Sequence, residues 1–151
     1  MSDKTTEKRQ TPVFMLNNVN GAFSLAFNNE FRELLVGASK EYLELAEGES
    51  PVVSTFNEAL KKLQECQSGV DYFKYVETRE EEKQWQPSMY ILAVVNGSFF
   101  LSCNGSFGRA LMDIVDASAD EDGTLALPLY ALVQSLDKQI NYKRGRTGTD
   151  G

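Results

Sequence analysis

The chain has 151 residues, a formal net charge of −7 at pH 7, 42% hydrophobic residues, two cysteines and no histidine. That length suits one domain with a sizeable core. The missing histidine removes Ser-His-Asp and Cys-His catalysis and histidine-ligated zinc, and the negative charge opposes nonspecific adsorption to nucleic acid or anionic membrane.

Residues 1–11 are polar, lack an apolar signal-peptide core and read as a disordered tail. The single domain is expected over 12–142. Val13–Val19 and Ala22–Phe27 form a hairpin around Asn20-Gly21, a pair that tolerates positive φ at both turn positions. Asn28 or Asn29 caps a helix through Ala46, with Phe31, Leu34, Leu35, Ala38, Tyr42 and Leu45 at helical spacing. A second helix is expected from Ser54 to Gln67, with Phe56, Ala59, Leu60 and Leu63 on one face. Residues 70–79 read as a strand rich in aromatic and β-branched residues, and 80–86 as a polar loop. Met89–Val95 and Ser98–Cys103 make a second hairpin around Asn96-Gly97. A helix over Ser106–Ala117 and a last one over Pro128–Ile140 follow, and 143–151 reads as a basic flexible tail.

The two hairpins resemble each other. Leu16, Val19, Asn20, Gly21, Phe23, Leu25, Asn28, Phe31 and Leu35 match Leu92, Val95, Asn96, Gly97, Phe99, Leu101, Asn104, Phe107 and Leu111 at one ungapped offset of 76 (Leu16 to Leu92). This suggests an internal duplication, with units at 12–69 and 87–140. Each unit is strand–strand–helix–helix. Lone hairpins are marginal in water, and an amphipathic helix needs something to cover its apolar stripe. The expected fold is therefore α+β: two layers, an antiparallel sheet shared by both units, and helices on one face.

Side-chain alternation then divides each hairpin into two faces. Phe14, Leu16, Phe23, Leu25 and Phe27, with Tyr90, Leu92, Val94, Phe99 and Leu101, make the core face. The other face carries Met15, Asn17 and Ser24 in the first unit, but Ile91, Ala93 and Phe100 in the second. An apolar patch on a nominally open face calls for cover by another element, a second subunit or a ligand.

No catalytic constellation is visible, and a non-enzymatic protein without cofactor is expected. Cys66 and Cys103 lie in no Cys-x-x-Cys motif and read as reduced, packed thiols. Two cysteines alone cannot complete a structural zinc site. Asn104-Gly-Ser-Phe-Gly108 with Arg109 could hold an anion at a helix N-terminus, although an ordinary cap is the simpler reading. Asp113 and Asp116, near Asp120–Asp122, could attract a divalent ion, but a solvated acidic loop is simpler. Trp85 reads as a loop anchor or an interface residue.

The leading expectation is a binding protein that contacts single-stranded nucleic acid through the open sheet face. Tyr72, Ile91 and Phe100 would stack, while Lys74, Arg109, Lys143, Arg144 and Arg146 would meet phosphates. The alternative is an acidic protein-interaction or inhibitor protein that binds a protein partner. A homodimer is compatible with either reading. The longest apolar run, Met89–Val95, is too short to cross a bilayer, so a cytoplasmic protein away from membranes is expected.

Overall fold

The computed structural model describes residues 11–19, 21–46, 50–66, 69–77, 87–119, 123 and 125–150, and only the backbone over 140–150. The elements run β1 (Phe14–Val19), β2 (Ala22–Phe27), α1 (Asn29–Leu45), α2 (Pro51–Leu63), β3 (Val70–Val76), β4 (Met89–Val95), β5 (Ser98–Cys103), α3 (Gly105–Asp116) and α4 (Leu127–Asp150). The strands form one antiparallel sheet in the order β1-β2-β5-β4-β3. The helices pack on one face, giving the expected two-layer α+β architecture.

The turns that close the hairpins explain their register. Asn96 has φ 50° and Gly97 φ 86°, the two positive values that let a two-residue turn follow the right-handed twist of its strands. Gly21, at the same place in the first hairpin, has φ 87°. Val19 then pairs with Ala22 and Val95 with Ser98, so the faces alternate as the sequence requires. Phe23, Leu25, Phe27, Tyr90, Leu92, Val94, Phe99 and Leu101 are all buried.

Between the hairpins, β2 pairs with β5 so that Leu25 stands opposite Leu101, Phe23 opposite Cys103 and Phe27 opposite Phe99. Leu25 and Leu101 are equivalent under the offset of 76, so the sheet pairs symmetrically about that leucine pair. The helix layer follows the same symmetry. α1 packs against α3 across the axis; α2 lies under β3 and β4, and α4 under β1. Each unit's second helix therefore covers the other unit's outer strand. Buried Val53, Phe56 and Leu60 on α2 stand at the offset from buried Leu129, Leu132 and Leu136 on α4.

Both units use the same asparagine clamp. Asn28 Oδ1 accepts the N–H of Phe31 at 3.0 Å and of Val13 at 3.1 Å, and its Nδ2 donates to Thr11 O at 2.8 Å. Asn104 Oδ1 accepts from Phe107 at 3.0 Å and Met89 at 3.2 Å, and its Nδ2 donates to Pro87 O at 2.8 Å. One side chain thus caps the helix and ties it to the start of the hairpin.

Several boundaries differ from expectation. α2 begins at Pro51, because a fixed φ and a missing N–H cost nothing in the first turn of a helix. β3 ends at Val76, and residues 78–79 lie outside those described. The backbone of α4 continues through 143–150; after Pro128 no proline interrupts it. The buried arc of α1 is also rotated. It takes in Arg32 and Ser39 and leaves Leu45 74% exposed, since α1 is flanked by both α2 and α3.

Candidate functional site

The sheet face away from the helices is open. Register places Met15, Ala26, Phe100, Ala93 and Tyr72 in one row across all five strands. The adjoining row is Asn17, Ser24, Ser102, Ile91 and Lys74. Large and small residues alternate along the first row. Met15, Phe100 and Tyr72 stand up on β1, β5 and β3, with alanines between them. Tyr72 is 66%, Met15 64%, Phe100 43% and Ile91 43% exposed. No described element covers this face, so of the three expected covers (another element, a second subunit or a ligand) the described residues do not provide the first.

Four of the expected contact residues, Tyr72, Lys74, Ile91 and Phe100, therefore share one surface. Alternation on β3 sends Tyr72 outward and turns Phe73 and Tyr75 inward, where they stack on Tyr90 at centroid distances of 6.3 and 5.4 Å. Arg109 does not join the outward set. It is exposed on α3, in the helix layer on the opposite side of the sheet, because its helix leaves β5 toward the core face. The side chains of Lys143, Arg144 and Arg146 lie outside the described residues, as do residues 78–86, Trp85 among them, and Asp120–Asp122.

The electrostatics of the open face are sparse. Among the strand residues only Asp71 and Lys74 are charged, and Asp71 alternates to the core side. Lys74 is thus the single charge that the described strands present on this face. Its surroundings are apolar or uncharged polar side chains.

The other candidate chemistries resolve into structural roles. At Asn104–Gly108 the asparagine side chain accepts the Phe107 N–H and caps the first turn of α3. Asp113 and Asp116 both reach solvent; partial desolvation of the Asp113 carboxyl, with the negative charge of Asp116 second, raises its pKa. No group of carboxylates or thiols able to hold a metal occurs among the described residues. Cys103 is buried, and burial pushes its thiol up to about 12, which starves it of the thiolate that nucleophilic chemistry needs.

A polar network inside the helix layer was hidden from the sequence. Arg32 is buried, donating Nε to Asn29 Oδ1 at 2.8 Å and Nη1 to Leu60 O at 3.2 Å, with its guanidinium 5.8 Å from the Phe99 ring centre. Desolvation lowers its pKa, partly countered by Glu33 at 3.8 Å. Asn57 Nδ2 donates to Ser39 Oγ at 2.7 Å and to Val36 O at 3.2 Å. These groups join α1 to α2 and lie away from the open face. The one available signal was the offset, which sets Arg32, Ser39 and Asn57 against Gly108, Val115 and Val133.

No helix among the described residues is long and apolar enough to cross a membrane. Comparison with protein-family models, with curated proteins and with solved structures finds no match for this chain.

Proposed function

We propose that this chain is a non-catalytic binding protein whose open sheet face docks a protein partner. The observation that supports this reading is the exposed, nearly uncharged face around Phe100, Tyr72, Ile91 and Met15. Five strands spaced by about 4.8 Å, each about six residues long, make a face of roughly 400 Å², and an exposed apolar patch within such a face commonly marks an interaction site. Exposed aromatic side chains beside small residues supply anchors and sockets, and energetically dominant contacts concentrate at such places. A partner side chain seated over Ala26 would lie between Met15 and Phe100.

Single-stranded nucleic acid is the second reading. Tyr72 and Phe100 favour it, because they stand in one row two strands apart, about 10 Å, and Lys74 neighbours that row. Sequence-tolerant binders of this kind combine stacking with a basic groove. Here the described strands supply one lysine to the face of a chain with net charge −7, which makes the phosphate term that dominates such affinities small for these residues.

Fluorescence anisotropy with labelled oligodeoxynucleotides across a salt series separates the two. The protein-docking reading expects no salt-sensitive binding. Tight binding at low salt that Phe100→Ala and Lys74→Ala both abolish would transfer the face to nucleic acid.

A further inference from the structure

The outer edge of β1 is the place where the symmetry of the sheet is incomplete. The bond from Asn28 N–H to Val13 O marks Val13/Asn28 as a hydrogen-bonded pair. Antiparallel alternation then makes Met15/Ala26, Asn17/Ser24 and Val19/Ala22 the remaining hydrogen-bonded pairs. The N–H and C=O groups of Phe14, Leu16 and Asn18 consequently point out of the sheet, and no described strand pairs with them. Their equivalents on β4 are Tyr90, Leu92 and Val94, and each of these stands opposite a residue of β3. Bonds from Glu77 N–H to Ser88 O and from Asn96 N–H to Gly69 O fix the same alternation there.

The missing neighbour shows in the packing as well. Tyr90, Leu92 and Val94 are fully covered, at 2%, 0% and 0% exposure. Phe14 and Leu16 are only partly buried, and Asn18 is exposed. α2 lies under both β3 and β4, whereas α4 lies mainly under β1. The sheet's two edges are also defended differently. β3 carries Lys74 and Asp71, charges of the kind that block pairing at an edge, while β1 has no charge and no proline.

We propose that β1 is a strand-addition site whose occupant is β1 of a second copy of this chain. Antiparallel pairing about Leu16 sets Leu16 against its own counterpart and Phe14 against the partner copy's Asn18. The three outward residues on each side then exchange N–H···O=C bonds, and the two sheets become one. The arrangement repeats what β2 and β5 already do about Leu25 and Leu101 inside a single chain. It closes as a twofold dimer, because the same edge serves both copies. No charged residue lies in either β1 strand, so no like charges oppose each other across the pairing edge. The site is distinct from the open face, which stays free in the dimer.

Residue-resolved amide hydrogen exchange, with sedimentation analysis over a concentration series, tests this. A monomer–dimer equilibrium is expected, with the amides of Phe14, Leu16 and Asn18 slowing at least about tenfold as the dimer fills. The amides of Met15, Asn17 and Val19 are protected at every concentration and serve as internal controls. Asn18→Lys, with circular dichroism unchanged, should weaken the dimer at least about tenfold by placing a charge at the pairing edge. Three results would overturn the proposal. The first is a monomer at all concentrations. The second is a dimer in which the Phe14, Leu16 and Asn18 amides still exchange fast. The third is protection of those amides in the monomer, which would give the edge to another segment of the same chain.

Discussion

The two halves of the helix layer solve one packing problem in different ways. In the first half α1 and α2 are joined by polar groups: Arg32 reaches the Leu60 carbonyl, and Asn57 meets Ser39. In the second half Gly108, Val115 and Val133 occupy those places, so α3 and α4 meet through apolar contact. Around this difference the frame is the same. Phe31 packs on Phe14 at 5.1 Å as Phe107 packs on Tyr90 at 4.5 Å, and an asparagine clamps each hairpin to its helix. The shared frame supports the fold, and the unshared positions are free to differ between halves.

The frame can be broken first at its aromatic centres. Phe31→Ala and Phe107→Ala should each cost about 3–5 kcal/mol in urea unfolding, because both rings are fully buried. A much smaller cost at Phe107 would mean that the second half is not equivalent to the first. The polar join is the sharper test. Asn57→Val alone should cost about 1–3 kcal/mol, since it strips Ser39 and the Val36 carbonyl of a buried donor. Adding Ser39→Val reproduces the residues of the second half and should recover most of that loss. A double variant as unstable as the single one would contradict the equivalence.

The clamps come next in size. Asn28→Ala and Asn104→Ala should each cost about 1–2 kcal/mol, with values close to each other. A cost at one clamp alone would show that the matched bonds do not carry matched energy.

The smallest expected effect is a pH dependence confined to the second half. The Asp113 pKa is raised by burial and by Asp116, so the folded protein holds that proton more tightly than the unfolded chain does. The associated stabilisation is present at acid pH and is lost as pH rises through the folded pKa. Asp113→Asn should therefore raise the Tm slightly at neutral pH. The gain should vanish at pH values below the ordinary carboxylate range, where wild type and variant are both uncharged at this position. At the offset, Gly37 and Lys40 stand where Asp113 and Asp116 do, so the first half has no matching pair of carboxylates.

Legibility from sequence followed the physics of each element. The register of both hairpins was readable because an Asn-Gly turn fixes it and alternation then assigns every side chain to a face, although β1 begins at Phe14 and not at Val13. The open face, with Tyr72, Ile91 and Phe100 on it, followed from that register. The start of α2 was obscured because Pro51 reads equally well as a linker or as a first helical residue. The rotation of α1 was hidden because hydrophobic periodicity counts Arg32 and Ser39 as surface, although tertiary partners on α2 bury them. Arg109 was misplaced for a related reason: a residue close in sequence to the sheet lies on a helix that leaves by the other side.

The most direct test of the central claim is site-specific photocrosslinking from the open face. A benzophenone side chain replaces Phe100 in one variant and Arg109, in the helix layer, in another, and each is irradiated in the cells that make the protein. A discrete, nuclease-resistant protein adduct is expected from position 100, of the same mass when the probe replaces Tyr72, and none from position 109. An adduct destroyed by nuclease, or equal crosslinking from both sides of the sheet, would contradict the claim.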